Sequence, residues 1–221
     1  MALLPNLFVL IAGYLLGSIP FGWLAGRWLA GVDLRQQGSG STGATNVLRV
    51  VGKGPALVVF VLDVLKGTLA VLLAKAVLQP LDSFTAVSDW WVVAAGLAAL
   101  AGHSWPVWLG GKGGKAVATG LGMLLGLTWP VGLACFGVFL TLLTVSRIVS
   151  LSSIVAALAL PLLMLAWFGS GGIRPAYLTL AVLTTVLVVW RHRSNLQRLL
   201  AGQEPRLGSG AGQDSEGSRA G

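Results

Sequence analysis

The chain has 221 residues, 55% of them apolar and only 10% charged, with a formal net charge of +8 and a mean hydropathy of +0.83. A soluble domain carries about 25% charged residues, so this composition excludes one, and the single cysteine, Cys135, excludes a disulfide framework or a cysteine-based metal site. The positive charge does not mark a nucleic-acid binder, because the basic residues are spread over separate loops between apolar runs and share no single face.

Long Leu/Val/Ala-rich runs without period-2 alternation predict an all-α polytopic membrane protein. Seven transmembrane helices are expected, at about 3–26, 55–78, 88–102, 116–129, 131–146, 150–169 and 175–190. No basic leader precedes the first, so it is not a signal peptide. After it comes DLRQQGSGSTGATNVLRVVGKG, Asp33 to Gly54. Gly38, Gly40 and Gly43 would let backbone amides converge on an anion, Ser39, Ser41, Thr42, Thr45 and Asn46 add short donors, and Arg49 adds a fixed charge. A turn-rich linker would read the same, and no Walker signature is present.

In the second span Asp63 and Lys66 share a helix face at i, i+3, either as a functional pair or as a structural one. Between the third and fourth comes GHSWPVWLGGKGGKAVAT, Gly102 to Thr119. Lys112 and Lys115 lie among glycines, including Gly113 and Gly114, just before a helix start, which suits a doubly charged phosphate; positive-inside topology alone would explain the lysines but not the glycines. His103 reads equally as a core residue or an acid–base group. Trp129-Pro130 supplies the break between the fourth and fifth spans; without it there would be six.

The seventh span runs into RHRSNLQRLLAGQEPRLG, Arg191 to Gly208, whose arginines alone would suit lipid headgroups but whose Asn195 and Glu204 are not needed for that. The Gly/Ser-rich stretch 207–221 is expected to be a disordered cytoplasmic tail behind a single membrane domain, 1–206. Positive charge on alternate loops places the N-terminus outside and the C-terminus in the cytoplasm. The acidic residues are too few for an acid–base pair, and no metal-ligand spacing occurs, so neither metal nor cofactor is expected. Positive charge and short donors handle anions by positioning and charge neutralisation.

The stretches GSIPFGWLAGRWLAGVDLRQQGSGSTGATNVLRVVG, GHSWPVWLGGKGGKAVAT and RHRSNLQRLLAGQE resemble the three signature motifs of the bacterial acyl-phosphate:glycerol-3-phosphate acyltransferases, the PlsY family, over about residues 1–206. The resemblance implies a seven-helix bacterial inner-membrane enzyme with its site facing the cytoplasm. It would move a fatty acyl group from acyl phosphate to the 1-hydroxyl of glycerol 3-phosphate, giving lysophosphatidic acid and phosphate, with the bilayer as surroundings and no obligate protein partner. Carried over by position, Ser39, Arg49, Lys112, His192 and Asn195 are the expected catalytic residues. Gly38, Gly40, Ser41, Asn46, Asp63, Lys66, His103, Gly113, Gly114, Lys115, Ser150, Ser153, Arg198 and Glu204 are the expected substrate-binding ones. Ser41, Gly111 and Ala116 stand where the family usually has Asn, Phe and Gly. His192, with an ordinary pKa of about 6.5, or a substrate phosphate would take the hydroxyl proton. The rival reading is a transporter for a phosphorylated solute, which shares the spans and the one-sided cations but would also need a site open to the outside.

Overall fold

A computed structural model of the protein describes residues 3–78, 86–169, 172 and 174–208. Most of the expected tail, from residue 209 on, and Asp82 of an expected outer loop lie outside the described residues. Among the described residues the structure is all helical: α1 (Leu3–Ser18), α2 (Phe21–Ala30), α3 (Ala44–Val50), α4 (Lys53–Leu78), α5 (Ala86–Ser104), α6 (Val117–Ser146), α7 (Val149–Phe168), α8 (Pro175–Arg191) and α9 (Arg193–Leu200). Five stretches are long and apolar enough to cross a membrane, Leu3–Ala30, Lys53–Leu78, Ser88–Leu109, Val117–Ser146 and Val149–Phe168, and the α8–α9 pair, bent by 61°, makes a sixth. Large apolar side chains such as Leu57, Leu162 and Val186 cover the outside of the bundle, as lipid requires of a multi-pass membrane protein.

The count differs from the seven expected because residues 116–129 and 131–146 fall in one element, α6, interrupted at Thr128 (φ −152°, ψ 88°). The two halves nevertheless fold back on each other. A Cβ on Gly132 would lie 3.1 Å from the Leu125 amide nitrogen, whereas seven residues of straight helix span about 10.5 Å. The first expected span also breaks, between Ser18 and Phe21, at Pro20.

Both breaks are stabilised in the same way. Pro130 has no N–H for the carbonyl four residues before it, Gly126, and the turn at Thr128 frees the next carbonyl as well. Lys75 of α4 donates to Gly126 O at 2.7 Å and Leu127 O at 3.1 Å. At the other break Lys66 donates to Ile19 O at 3.0 Å and lies over the Phe21 ring. Lys75→Met keeps the aliphatic stem but strands both carbonyls, so it should cost about 1–3 kcal/mol and lower the thermal unfolding midpoint in detergent by several degrees; an unchanged midpoint would show that the cap is idle.

α4 packs closely on α6. Gly122 and Gly67 have no room for a Cβ against the Val64 and Thr119 carbonyls, and Thr68 donates to Gly122 O at 2.9 Å. This approach sets Asp63 and Lys66 of α4 beside His103 at the end of α5 and Thr119 in the first turn of α6.

Candidate functional site

The loop after α2 is shaped by its own side chains. Asp33 accepts from the Arg35 amide and takes its guanidinium in a fork, at 2.9 Å from Nε and 2.6 Å from Nη2, and this arginine holds the Asp33 carboxyl well below the usual carboxylate range. Arg35 also donates to Leu109 O at 3.3 Å, tying this loop to the one after α5. Asn46, fully buried in α3, reaches back into the loop: Nδ2 lies 2.9–3.1 Å from the carbonyls of Leu34, Gln37 and Ser41, and Oδ1 accepts from the Ser39 amide at 2.9 Å. Gly38 and Gly40 take left-handed backbone, φ +56° and +68°.

The amides of Ser39, Gly40 and Gly43 donate to Asn46 Oδ1, Gln37 O and Ser41 Oγ. Gly38 and Gly40 make the turn, and Asn46 both holds the loop's shape and lines the cavity. Ser39, Ser41 and Arg49 then line the cavity that the loop borders, and Arg49 has no acidic partner among the described residues.

The second loop sends its two lysines in different directions. Gly110 and Gly111 are both left-handed, φ +59° and +76°, and the resulting turn leaves Lys112 exposed, outside the cavity lining. Lys115, three residues on, lines the cavity instead, with Nζ donating to Asn195 Oδ1 at 2.6 Å. Gly113 and Gly114 are buried with their amides donating to Ser104 O (3.2 Å) and His103 O (3.1 Å), so they too offer no N–H to a ligand; a side chain on Gly114 would overlap the His103 ring. Ala116, where the resembling motif has glycine, takes φ +60° without solvent exposure, a strained conformation for a residue with a Cβ.

The third wall is the corner between α8 and α9 and the irregular segment after it. Glu204 is its hub: Oε1 accepts from Ser150 Oγ (2.7 Å) and Asn195 Nδ2 (2.5 Å), and Oε2 from Arg198 Nε (2.7 Å). Burial alone would push this carboxyl up; the three donors outweigh it and hold it below the ordinary value. Arg198 is not among the cavity's lining residues and meets one of them, Glu204, at Oε2. The chain Lys115–Asn195–Glu204–Ser150 thus joins the second loop, α9, the C-terminal segment and the start of α7.

Beneath the cavity Asp63 pairs with Lys66 at 2.7 Å and lies 3.6 Å from His103 Nδ1, which is 3.2 Å from Thr119 Oγ1. Asp63 and His103 reach the cavity wall; Lys66 does not, because it is turned to Ile19, which is the structural alternative.

His192 is buried at the α8–α9 corner and lines the cavity. Its Nδ1 lies 2.8 Å from Val188 O; a carbonyl only accepts, so Nδ1 carries the hydrogen and Nε2 keeps its lone pair. Burial, and then the Lys115 charge, pull the imidazole from its ordinary value down to about 4. Burial likewise lowers Lys115 to about 8, with Glu204 opposing and Arg198 and Arg49 adding to the shift.

The cavity holds about 130 Å³ and contains Ser39, Ser41, Asn46, Arg49, Asp63, His103, Lys115, Ser150, Ser153, His192, Asn195 and Glu204 on its walls. A second cavity of about 80 Å³ adjoins it, apolar and lined by both halves of α6, α7 and α8. Phe60, Ala116, Val117, Ala118, Phe139 and Ser153 line both. A doubly cationic chamber beside an oily one can hold an anionic head and a hydrocarbon tail at once. The sequence reading missed Arg191, which donates to the Gly113 and Gly114 carbonyls, and Arg35; both had the look of ordinary juxtamembrane charge.

The family described as glycerol-3-phosphate acyltransferase matches residues 7–202. A glycerol-3-phosphate acyltransferase of Prochlorococcus marinus (strain MIT 9313) is 70% identical over 207 residues, covering 94% of this chain and 97% of its own. One from Synechococcus sp. (strain CC9902) is 66% identical over 206 residues, 93% and 97% of the two chains. Among solved structures, PlsY (YgiH), an integral membrane glycerol 3-phosphate acyltransferase in its glycerol 3-phosphate form, superposes with a TM-score of 0.81 at 42% identity over 92% of this chain and 96% of that one. The lysophosphatidic acid form of that protein gives 0.79 at 41% identity, over 92% and 95%.

Proposed function

The chain belongs to the glycerol-3-phosphate acyltransferase family, and from that premise we propose that it uses an acyl phosphate to acylate the 1-hydroxyl of glycerol 3-phosphate, releasing lysophosphatidic acid and phosphate. It is an acyltransferase of phospholipid synthesis, and membership decides against the transporter reading. The observation that carries the choice of donor is that the two cavities share six wall residues: the polar one has Arg49 and Lys115 for phosphate, and the apolar one beside it can take an acyl chain, worth about 0.8 kcal/mol per buried CH₂.

Two phosphorylated substrates repel each other, and the cations offset that repulsion where the reactive ends must meet. The hydroxyl oxygen attacks the acyl carbonyl, the carbon–oxygen bond to phosphate breaks, and phosphate leaves with the electron pair. The hydroxyl proton goes to His192 Nε2 or to a substrate phosphate oxygen. An imidazole at about 4 is a weak base; a phosphate dianion docked beside it would raise its affinity for the proton. The seven-crossing arrangement, with the two halves of α6 as separate crossings, the N-terminus outside and the site facing the cytoplasm of a bacterial inner membrane, belongs to the same reading. It is supported by basic residues on alternate loops.

Purified protein in lipid vesicles, given acyl phosphate and glycerol 3-phosphate, should release phosphate and lysophosphatidic acid in equal amounts. Failure to release either overturns the choice of donor. A pH profile tests the role of Lys115. Phosphate monoesters have a second pKa near 6, so both substrates are dianions above neutrality and the alkaline limb reports the enzyme. With Lys115 at about 8, kcat/KM should fall about tenfold per unit above that pH, and Lys115→Arg should move the limb upward. A limb that Lys115→Arg leaves where it is would remove Lys115 from phosphate binding.

A further inference from the structure

We propose that Arg191, the last residue of α8, is a positioning residue for acyl transfer: it clamps the Gly113–Gly114 carbonyls and so fixes the loop that presents Lys115. Its Nε donates to Gly114 O at 3.1 Å, and its Nη2 donates to Gly114 O at 2.7 Å and Gly113 O at 3.1 Å. The amides of the same two glycines are held by the end of α5, at Ser104 O and His103 O. The dipeptide is therefore bonded on both faces, to α5 through its N–H groups and to α8 through its carbonyls. The rings of Trp105 and Trp190 lie 5.8 Å and 6.0 Å from the guanidinium carbon and limit its hydration.

Neighbours in sequence make the clamp matter. Lys115 follows Gly114 directly, and His192 follows Arg191 directly; both line the polar cavity. One guanidinium thus ties together the two segments that carry the cavity's half-buried ammonium and its imidazole. Both glycines are needed, since a Cβ on Gly113 would overlap the His103 carbonyl and one on Gly114 the His103 ring. A lysine at 191 would keep the charge but not the fork that spans two carbonyls while lying beside two indoles.

The effect on rate rests on the acyl-phosphate reading above, while the effect on the loop does not. Arg191→Ala should lower kcat/KM for glycerol 3-phosphate by about 100-fold, the scale of a 1 Å misplacement of a binding group. Arg191→Lys should recover little of it, and free guanidinium added to Arg191→Ala should raise its rate at least about tenfold by refilling the fork. In hydrogen exchange without substrate, the Gly113 and Gly114 amides should exchange faster in both variants while α4 and α6 keep their protection. Wild-type kcat/KM in Arg191→Lys, or unchanged exchange at the two amides, overturns the proposal; should Arg191→Ala not fold, Arg191→Lys carries both comparisons. A wild-type protein that releases no phosphate from acyl phosphate overturns the functional reading, and the exchange result still decides the clamp.

Discussion

Lys115→Ala is expected to reduce kcat/KM for acyl transfer by about 10³-fold or more, the scale of losing a preorganised donor to developing charge. The ammonium lines the polar cavity beside His192 and Arg49, held by Asn195 Oδ1 at 2.6 Å, so it needs no reorganisation to meet a phosphate. Lys112→Ala makes the contrast. That side chain is exposed beyond the left-handed turn at Gly110 and Gly111, so its field on the cavity is screened by solvent and the loss should stay within about threefold. Initial rates of both variants with both substrates varied check this. Equal losses would mean that the loop rearranges on binding to bring Lys112 in.

Glu204→Ala should be the most destabilising single change at the site, by about 3–5 kcal/mol. The carboxylate takes Ser150, Asn195 and Arg198 together; without it three donors are stranded, two of them buried, and Asn195 no longer orients Lys115. Thermal unfolding in detergent measures the loss, and activity should fall with it even below the melting range. The carboxyl sits below its ordinary value, so its contribution is present above the unfolded value of about 4.3 and is lost as pH falls through the folded one. Acid destabilisation in that window should be present in the wild type and blunted in Glu204→Gln. A wild-type curve that matches Glu204→Gln from neutral pH into acid would contradict the hub.

Much of this was legible in the sequence because its causes are local. Unbroken apolar runs read as helices, Pro130 marked the break in α6 to within two residues, and the three polar stretches that stood out do line one cavity. What was not legible depends on which way a turn sends its residues. Lys112 and Lys115 look alike in sequence, each beside glycines; only the two successive left-handed residues before Lys112 decide that it leaves and Lys115 enters. The amides of both loops look available in the sequence; in the first, Asn46 Oδ1, Gln37 O and Ser41 Oγ take those of Ser39, Gly40 and Gly43, and in the second the Ser104 and His103 carbonyls take those of Gly113 and Gly114. Lys75 carries no signal in the sequence, because the carbonyls it caps lie 51 and 52 residues away. The break at Pro20 was missed although its residue was visible, since apolar residues continue on both sides. Arg191 belonged to a cluster that positive-inside topology explains without any contact.

The central claim is that one polar chamber with fixed cations adjoins one apolar chamber, so that phosphate and acyl chain of a single donor are held together. A structure of the protein with a non-hydrolysable acyl phosphonate tests it most directly. The account predicts the phosphonate within hydrogen-bond distance of Lys115 and Arg49, the first methylenes passing Phe60, Ala116 and Phe139, and the chain lying between the two halves of α6. A chain laid along the lipid-facing side of α7 at Leu158 and Leu162, with its phosphonate away from Lys115, would contradict it.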